Sequence, residues 1–352
     1  MRKIIPNDTQ LQKKKLKPWK KNILIFIGVL FLIGISVFGY FAYKANKSIN
    51  NITGENQSIF DTAKSLLSVA PTKQLKSDNG VTNIVLLGMR GKDDPNGGLL
   101  SDSIMVVSIQ QESKKVAMIS IPRDLRVEVP ETKGYSKLNS AHAIGSQQQP
   151  PQGLQYTMKV LENVTGLPMH YGVSVDFIAF KGIIDSLGGI TVNAASDFYD
   201  PNYEGGIKVS KGLNDLNSDR ALKYVWARLT TNDFDRSRRQ REVLTAIKDK
   251  AEKNGSLKNP LFMIDLLDNL GNHVKTTMTV DELKTTVDTI NTLDMNNIIQ
   301  KGYDTSADGP FTSKNDPVIG YVIIPKSGNF NVFQKDIQGI FGASDKENVQ
   351  NP

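Results

Sequence analysis

The stretch Thr230–Lys250, TTNDFDRSRRQREVLTAIKDK, holds the side chains best suited to chemistry in this 352-residue chain. Asn232 or Asp233 can cap a helix there, and neither Gly nor Pro occurs between them and Lys250. At about 100° per residue, Arg236, Arg239, Gln240, Val243 and Ile247 share one face, and Arg238, Arg241, Thr245 and Lys248 share the other. The apolar stripe that should face a core therefore turns into two arginines and an amide in its first turn. A guanidinium on an inward face needs an anion, because burying an unpaired charge is costly. The free N–H groups and positive dipole end of a helix N-terminus suit a phosphate. Asp233 and Asp235 offer the plainer alternative of internal ion pairs.

Other chemistries are missing. With no cysteine, zinc–thiolate sites and cysteine nucleophiles are excluded, and an exported domain would need an ordinary core. There is no GxSxG elbow, no HExxH and no P-loop. His142, His170 and His273 stand isolated and read as packing or surface residues. What remains is arginines, a few acids and Lys137, a set that holds phosphates and does little covalent chemistry itself.

These side chains need a scaffold. Ile84–Leu87 reads as a buried strand leading into a Gly-rich loop, Gly88–Gly98. Ser103–Ile109 and Val116–Ile121 read as a hairpin that stops at Pro122, delivering Arg123 and Asp124 at a strand end. Helices are expected at Leu154–Val164, at Asp176–Leu187, at Asn217–Ala227, and later at Leu261–Leu270 and Val280–Thr292. Phe177, Phe180, Ile184 and Leu187 form an apolar stripe on the second of these, the usual mark of a core face. Thr191–Val209 reads as irregular, and Tyr321–Ile324 as a late strand. Interspersed strands and helices point to an α/β fold, a mixed sheet with helices on both faces.

The formal charge of +7 is concentrated at one end. Residues 1–21 carry Arg2, Lys3, Lys13, Lys14, Lys15, Lys17, Lys20 and Lys21 against Asp8 alone, so the rest is near neutral and no nucleic-acid partner is implied. Ile23–Tyr43 is free of charge and long enough to span a bilayer, with Trp19, Tyr40 and Tyr43 as interfacial anchors. Lysines before the span place the N-terminus in the cytoplasm. The expected organisation is a cytoplasmic tail (1–22), a transmembrane signal-anchor helix (23–43), an extracellular stalk (44–80), an extracellular catalytic domain (81–342) and a disordered tail (343–352).

The order of segments resembles the LytR-CpsA-Psr family of cell-wall glycopolymer transferases. The matching stretches are NIVLLG (83–88), SDSIMVVSI (101–109), VAMISIPRDLRV (116–127), KLNSAH (137–142), 164–193, LNSDRALKYVWAR (216–228) and DFDRSRRQREVL (233–244). The resemblance implies a three-layer α-β-α domain with a central mixed sheet, an apolar tunnel for a polyprenyl tail, and a diphosphate held at its mouth by arginines with Mg²⁺. The implied reaction moves a glycan phosphate from a polyprenyl (undecaprenyl) diphosphate to a peptidoglycan hydroxyl. By position, Arg123, Arg228, Arg236, Arg239 and Gln240 match phosphate contacts, Lys137 a lysine contact, Asp102 a metal-linked carboxylate and Asp233 the acid that opens the arginine helix. Phe177 and Phe180 would face the lipid.

Two positions depart from the family pattern. Arg90 stands where an Asp is usual, and Trp226 replaces the first arginine of Y-V-R-x-R. Either Asp93 or Asp94 replaces the missing carboxylate, or Arg90 takes over part of the metal's charge. Two other functions fit the same residues: a polyprenyl-diphosphate pyrophosphatase, and a non-catalytic polyprenyl-phosphate or glycan-binding protein of the envelope.

Overall fold

A computed structural model describes residues 42–48, 50–53, 74–94, 97–130, 134–202, 205–227, 233–256, 266, 270–290, 292–293 and 298–341. The expected tail 1–22, nearly all of the expected span 23–43, most of the expected helix 261–270 and the tail 343–352 lie outside these residues. Among the described residues no helix is long and apolar enough to cross a membrane.

In chain order the first half comprises β1 (Val81–Gly91), β2 (Gly98–Gln110), β3 (Val116–Ser120), β4 (Arg126–Val129), β5 (Gly134–Lys137), α1 (Ala141–Ser146), α2 (Gly153–Thr165), β6 (Tyr171–Asp176) and α3 (Phe177–Ser186). The second half comprises β7 (Ile190–Ala194), β8 (Phe198–Asp200), β9 (Ile207–Val209), β10 (Gly212–Leu216), α4 (Ser218–Trp226), α5 (Asp233–Lys253), β11 (Val274–Thr276), α6 (Val280–Ile290), β12 (Ile299–Gly302), β13 (Phe311–Asp316), β14 (Gly320–Pro325) and α7 (Asn331–Gln338).

The fold is α/β around a mixed six-stranded sheet in the order β11-β6-β1-β2-β3-β12. β1 pairs antiparallel with β2 and parallel with β6, and β2–β3 is the expected hairpin. β1 runs on to Gly91, into the expected Gly-rich loop, because β2 keeps pairing with it across bulges near Met89. Alternate residues of the sheet enter separate clusters. Val85, Leu87, Val106 and Ile119 pack with Leu161 and Val164 of α2. Ile84, Ile109 and Tyr171 pack instead with Met278, backed by Leu283 of α6. A third cluster joins α3, α4 and α5 to β7–β9, so the segment expected to be irregular is largely strand.

Helix limits obey local signals. Gly166 ends α2 in the left-handed region (φ +67), where its N–H reaches Glu162 O. Asp176 and Asn217 cap α3 and α4 through their side chains. Near the C-terminal edge, Phe333 is 1% exposed and meets Tyr303 and Phe311 at ring distances of 4.6 and 5.0 Å. Phe333→Ala should therefore lower stability by about 3–5 kcal/mol in urea unfolding. Val332→Ala, at a position 57% exposed, should change it by less than about 0.5 kcal/mol.

Candidate active site

The ends of β1, β2 and β6 meet the first turns of α3 and α5 around an apolar cavity of about 260 Å³. Its wall is Leu86, Met105, Val175, Phe180, Ile183, Val225, Val243 and Ile247; its polar residues are Asp102, Ser103, Asp176, Arg236 and Gln240. Phe177 and Trp226 line it too. The apolar stripe that begins α3 is thus divided: Ile184 and Leu187 are buried in the core, whereas Phe177 and Phe180 are half-buried at the cavity.

Asp102, Ser103 and Arg236 also border a small adjoining crevice, which Arg123 enters from beyond β3. Arg123 Nη1 donates to Asp102 Oδ1, and its Nε lies 3.6 Å from Asp124 Oδ2. Lys137 Nζ holds the other oxygen of Asp124 at 3.1 Å. The hairpin end and β5 thereby bring Asp102, Arg123, Asp124 and Lys137 into one charged chain. Arg236, 3% exposed, donates from Nη2 to the backbone oxygen of Asp102 at 3.2 Å. Gln240 is tied at both ends, accepting from Ser103 Oγ (2.7 Å) and donating to Val225 O (3.3 Å).

Arg239 departs from the expectation that it faces a ligand. It does not line the cavity; it is 0% exposed, and its Nε donates to Tyr224 O at 2.7 Å while Nη2 donates to Ala227 O. Those carbonyls belong to the C-terminal end of α4, where no further helical N–H is available to bond them. The guanidinium also stacks 4.0 Å from the Phe198 ring centre. Burial pushes its pKa down to about 10, which leaves it charged at neutral pH. Arg241, on the opposite face of α5, is buried too, donating to Ser120 Oγ (2.7 Å) and Gln300 Oε1 (3.2 Å), so α5 is enclosed on both sides. Arg228 and the Asp233 side chain lie outside the described residues.

Arg90, on β1, packs on two residues that line the cavity. Its guanidinium carbon lies 4.9 Å from the Trp226 ring centre and 5.9 Å from that of Phe177, and Nη2 donates to Asp94 at 3.0 Å. The two residues that depart from the family pattern are therefore in contact. Asp94 holds Arg90, and Asp93 lies 3.8 Å from His273. Among the described residues no group of three or more acidic or histidine side chains could hold a metal ion.

Sequence reasoning missed the pairing of Asp176 with His273. Asp176 Oδ1 caps α3 and Oδ2 meets His273 Nδ1 at 2.7 Å. Only glycine fits beside it: Gly91 has φ +97, and an added Cβ would lie 2.7 Å from Oδ2. No local pattern links partners 97 residues apart.

Chemically, the arrangement suits an amphiphile with an anionic head, an apolar body in the cavity and guanidiniums at one end. Removing Arg236 should cost turnover and not stability, by about 10²–10³-fold for one lost charge-stabilising donor. Removing Arg239 should cost stability first, by about 3 kcal/mol for two charged hydrogen bonds. Thermal unfolding of Arg236→Ala and Arg239→Ala beside their turnover separates the roles.

Comparisons with known proteins point the same way. The model of the LytR_cpsA_psr family matches residues 35–322. Polyisoprenyl-teichoic acid–peptidoglycan teichoic acid transferase TagT of Bacillus subtilis (strain 168) is 29% identical over 77% of this chain and 81% of its own length. The TagU transferase of Bacillus mycoides (strain KBAB4) is 30% identical over 75% and 82%. Among solved structures, TagT bound to LIIa-WTA superposes with a TM-score of 0.59 at 25% identity, covering 78% of this chain and 96% of that one. The crystal structure of B. subtilis TagV gives 0.57 at 26% identity, covering 75% and 98%.

Proposed function

The chain belongs to the LytR_cpsA_psr family, and from that premise we propose that it is a membrane-anchored phosphotransferase moving a glycopolymer from a polyprenyl diphosphate to peptidoglycan. That it is a transferase accords with relatives named polyisoprenyl-teichoic acid–peptidoglycan teichoic acid transferases. The finer reading is carried by one observation: an apolar cavity whose polar end is Asp102 and Arg236, with Arg123 in the adjoining crevice. A polyprenyl tail would lie against Phe177 and Phe180 within the three-layer domain, and the apolar run 23–43 would tether the protein to the bilayer holding that lipid.

In this reading Arg236 and Arg123 grip non-bridging oxygens, since guanidiniums form paired, charge-assisted hydrogen bonds to phosphate. Lys137, held by Asp124, adds a further positive charge; Arg228, which the resemblance assigns to the same grip, lies outside the described residues. Arg239 and Gln240 act through the scaffold: they fix α5 and α4 so that Arg236 meets the head group. The wall hydroxyl attacks the glycan-side phosphorus as the bond to the lipid phosphate breaks, and its proton leaves with the departing lipid phosphate. Charge builds on the leaving oxygen, which fixed cations stabilise without reorganising. The diphosphate bond supplies the driving force.

The described residues fit Mg²⁺ poorly. Mg²⁺ seeks carboxylate oxygens and keeps near-octahedral geometry, whereas Asp102 is already bonded to Arg123 among several guanidiniums. The steps above therefore run through the chain's own cations.

The protein incubated with a polyprenyl diphosphate-linked glycan should release polyprenyl phosphate only when peptidoglycan is present. Release without acceptor would indicate a pyrophosphatase, and binding without turnover an envelope binding protein. Phe180→Asp, with thermal unfolding as the control for folding, should lose lipid binding by at least about tenfold, since a charge in an apolar cavity repels the tail.

A further inference from the structure

We infer that Arg90, seated on Trp226, supplies the positive charge at the cavity mouth that a divalent cation would otherwise supply, so that this chain binds its diphosphate lipid without metal. The inference rests on the diphosphate reading of the cavity. Phe177 and Trp226 line the cavity and meet edge to face, with ring centres 5.7 Å apart and planes at 72°. Arg90 lies over both rings. Such a shelf binds a flat guanidinium through its face, and offers a hard dication no oxygen to coordinate.

Hydrogen bonding agrees with this placement. Asp94 accepts from Arg90 Nη2 at 3.0 and 3.3 Å and fixes the tilt of the plane. Among the described residues Arg90 Nε is buried and meets no hydrogen-bond partner. The side chain as a whole is a quarter exposed, so a phosphate oxygen can reach the guanidinium from outside the rings.

Three of the nearby carboxylates already hold partners. Asp102 is bonded to Arg123, Asp94 to Arg90, and Asp176 to the Ala179 N–H and His273. A dication entering here would have to displace guanidiniums and would meet like charge at Arg90, Arg123 and Arg236. An anion meets the reverse.

The test uses the full-length chain in detergent with octaprenyl diphosphate as the probe, titrated by calorimetry in EDTA and in Mg²⁺. Wild-type affinity should differ between the two by less than about twofold, a few tenths of a kcal/mol in binding. Trp226→Ala and Arg90→Lys, which remove the shelf and the flat cation, should each weaken binding about tenfold in EDTA. Arg90→Asp should bind poorly in EDTA and recover in part with Mg²⁺. Wild-type binding that needs Mg²⁺, or unchanged affinity in a folded Trp226→Ala, overturns the inference and leaves the diphosphate reading standing. No wild-type binding in either condition removes the diphosphate reading itself.

Discussion

The geometry of the cavity depends on a guanidinium that never touches it. Arg239 sits under the corner between α4 and α5, donating to Tyr224 O and Ala227 O. The last carbonyls of any helix lack intrahelical donors, and at a buried corner water cannot serve them. One charged side chain supplies both bonds, and stacking on Phe198 balances part of its desolvation. The corner carries Val225 and Trp226 on one arm and Arg236 and Gln240 on the other, all at the cavity. Gln240 adds a second tie, from Ser103 on β2 to Val225 on α4. The arginines of α5 therefore divide their labour by depth: Arg239 holds the frame, and Arg236 stands where the frame opens.

A cleft rich in guanidiniums must be stable in itself. Several cations converge here, and in a low-dielectric cleft their repulsion would be severe if none were screened. The alternating chain Asp102, Arg123, Asp124, Lys137 answers this, each charge resting against the opposite sign. Arg90 has Asp94 and two rings; Arg236 has the Asp102 carbonyl. Guanidiniums allow this because five donors leave some N–H groups over after an internal partner is met. An ammonium in the same place would be consumed more completely by one carboxylate.

Much of this is legible in the order of residues. The hairpin of β2 and β3, the stop of α2 at Gly166 and the start of α4 after Asn217 come from alternation, left-handed glycine and capping, all local signals. Asp102, Arg123, Arg236, Gln240, Phe177 and Phe180 do gather, although Ser103 and Gln240 lie 137 residues apart. The resemblance to a family implied that gathering; periodicity alone gave only an inward arginine face. Periodicity could not separate Arg236 from Arg239, because residues three apart on a helix share a face and the carbonyls of α4 decide between them. β6, a central strand of only six residues, and the Asp176–His273 pair carry no local mark either.

The contact between Arg90 and Trp226 shows how two departures can be one. Taken singly, an arginine where a carboxylate is usual looks like a lost ligand, and a tryptophan for an arginine looks like a lost grip. In space they are 4.9 Å apart, and each makes sense of the other. An arginine at 226 would repel one at 90, and a carboxylate at 90 would gain nothing from an indole face. The family pattern's acid at 90 and arginine at 226 cancel, whereas Arg90 and Trp226 together carry one positive charge, held on β1. Residue identity at either position, read alone, is therefore a poor guide to the charge the two present together.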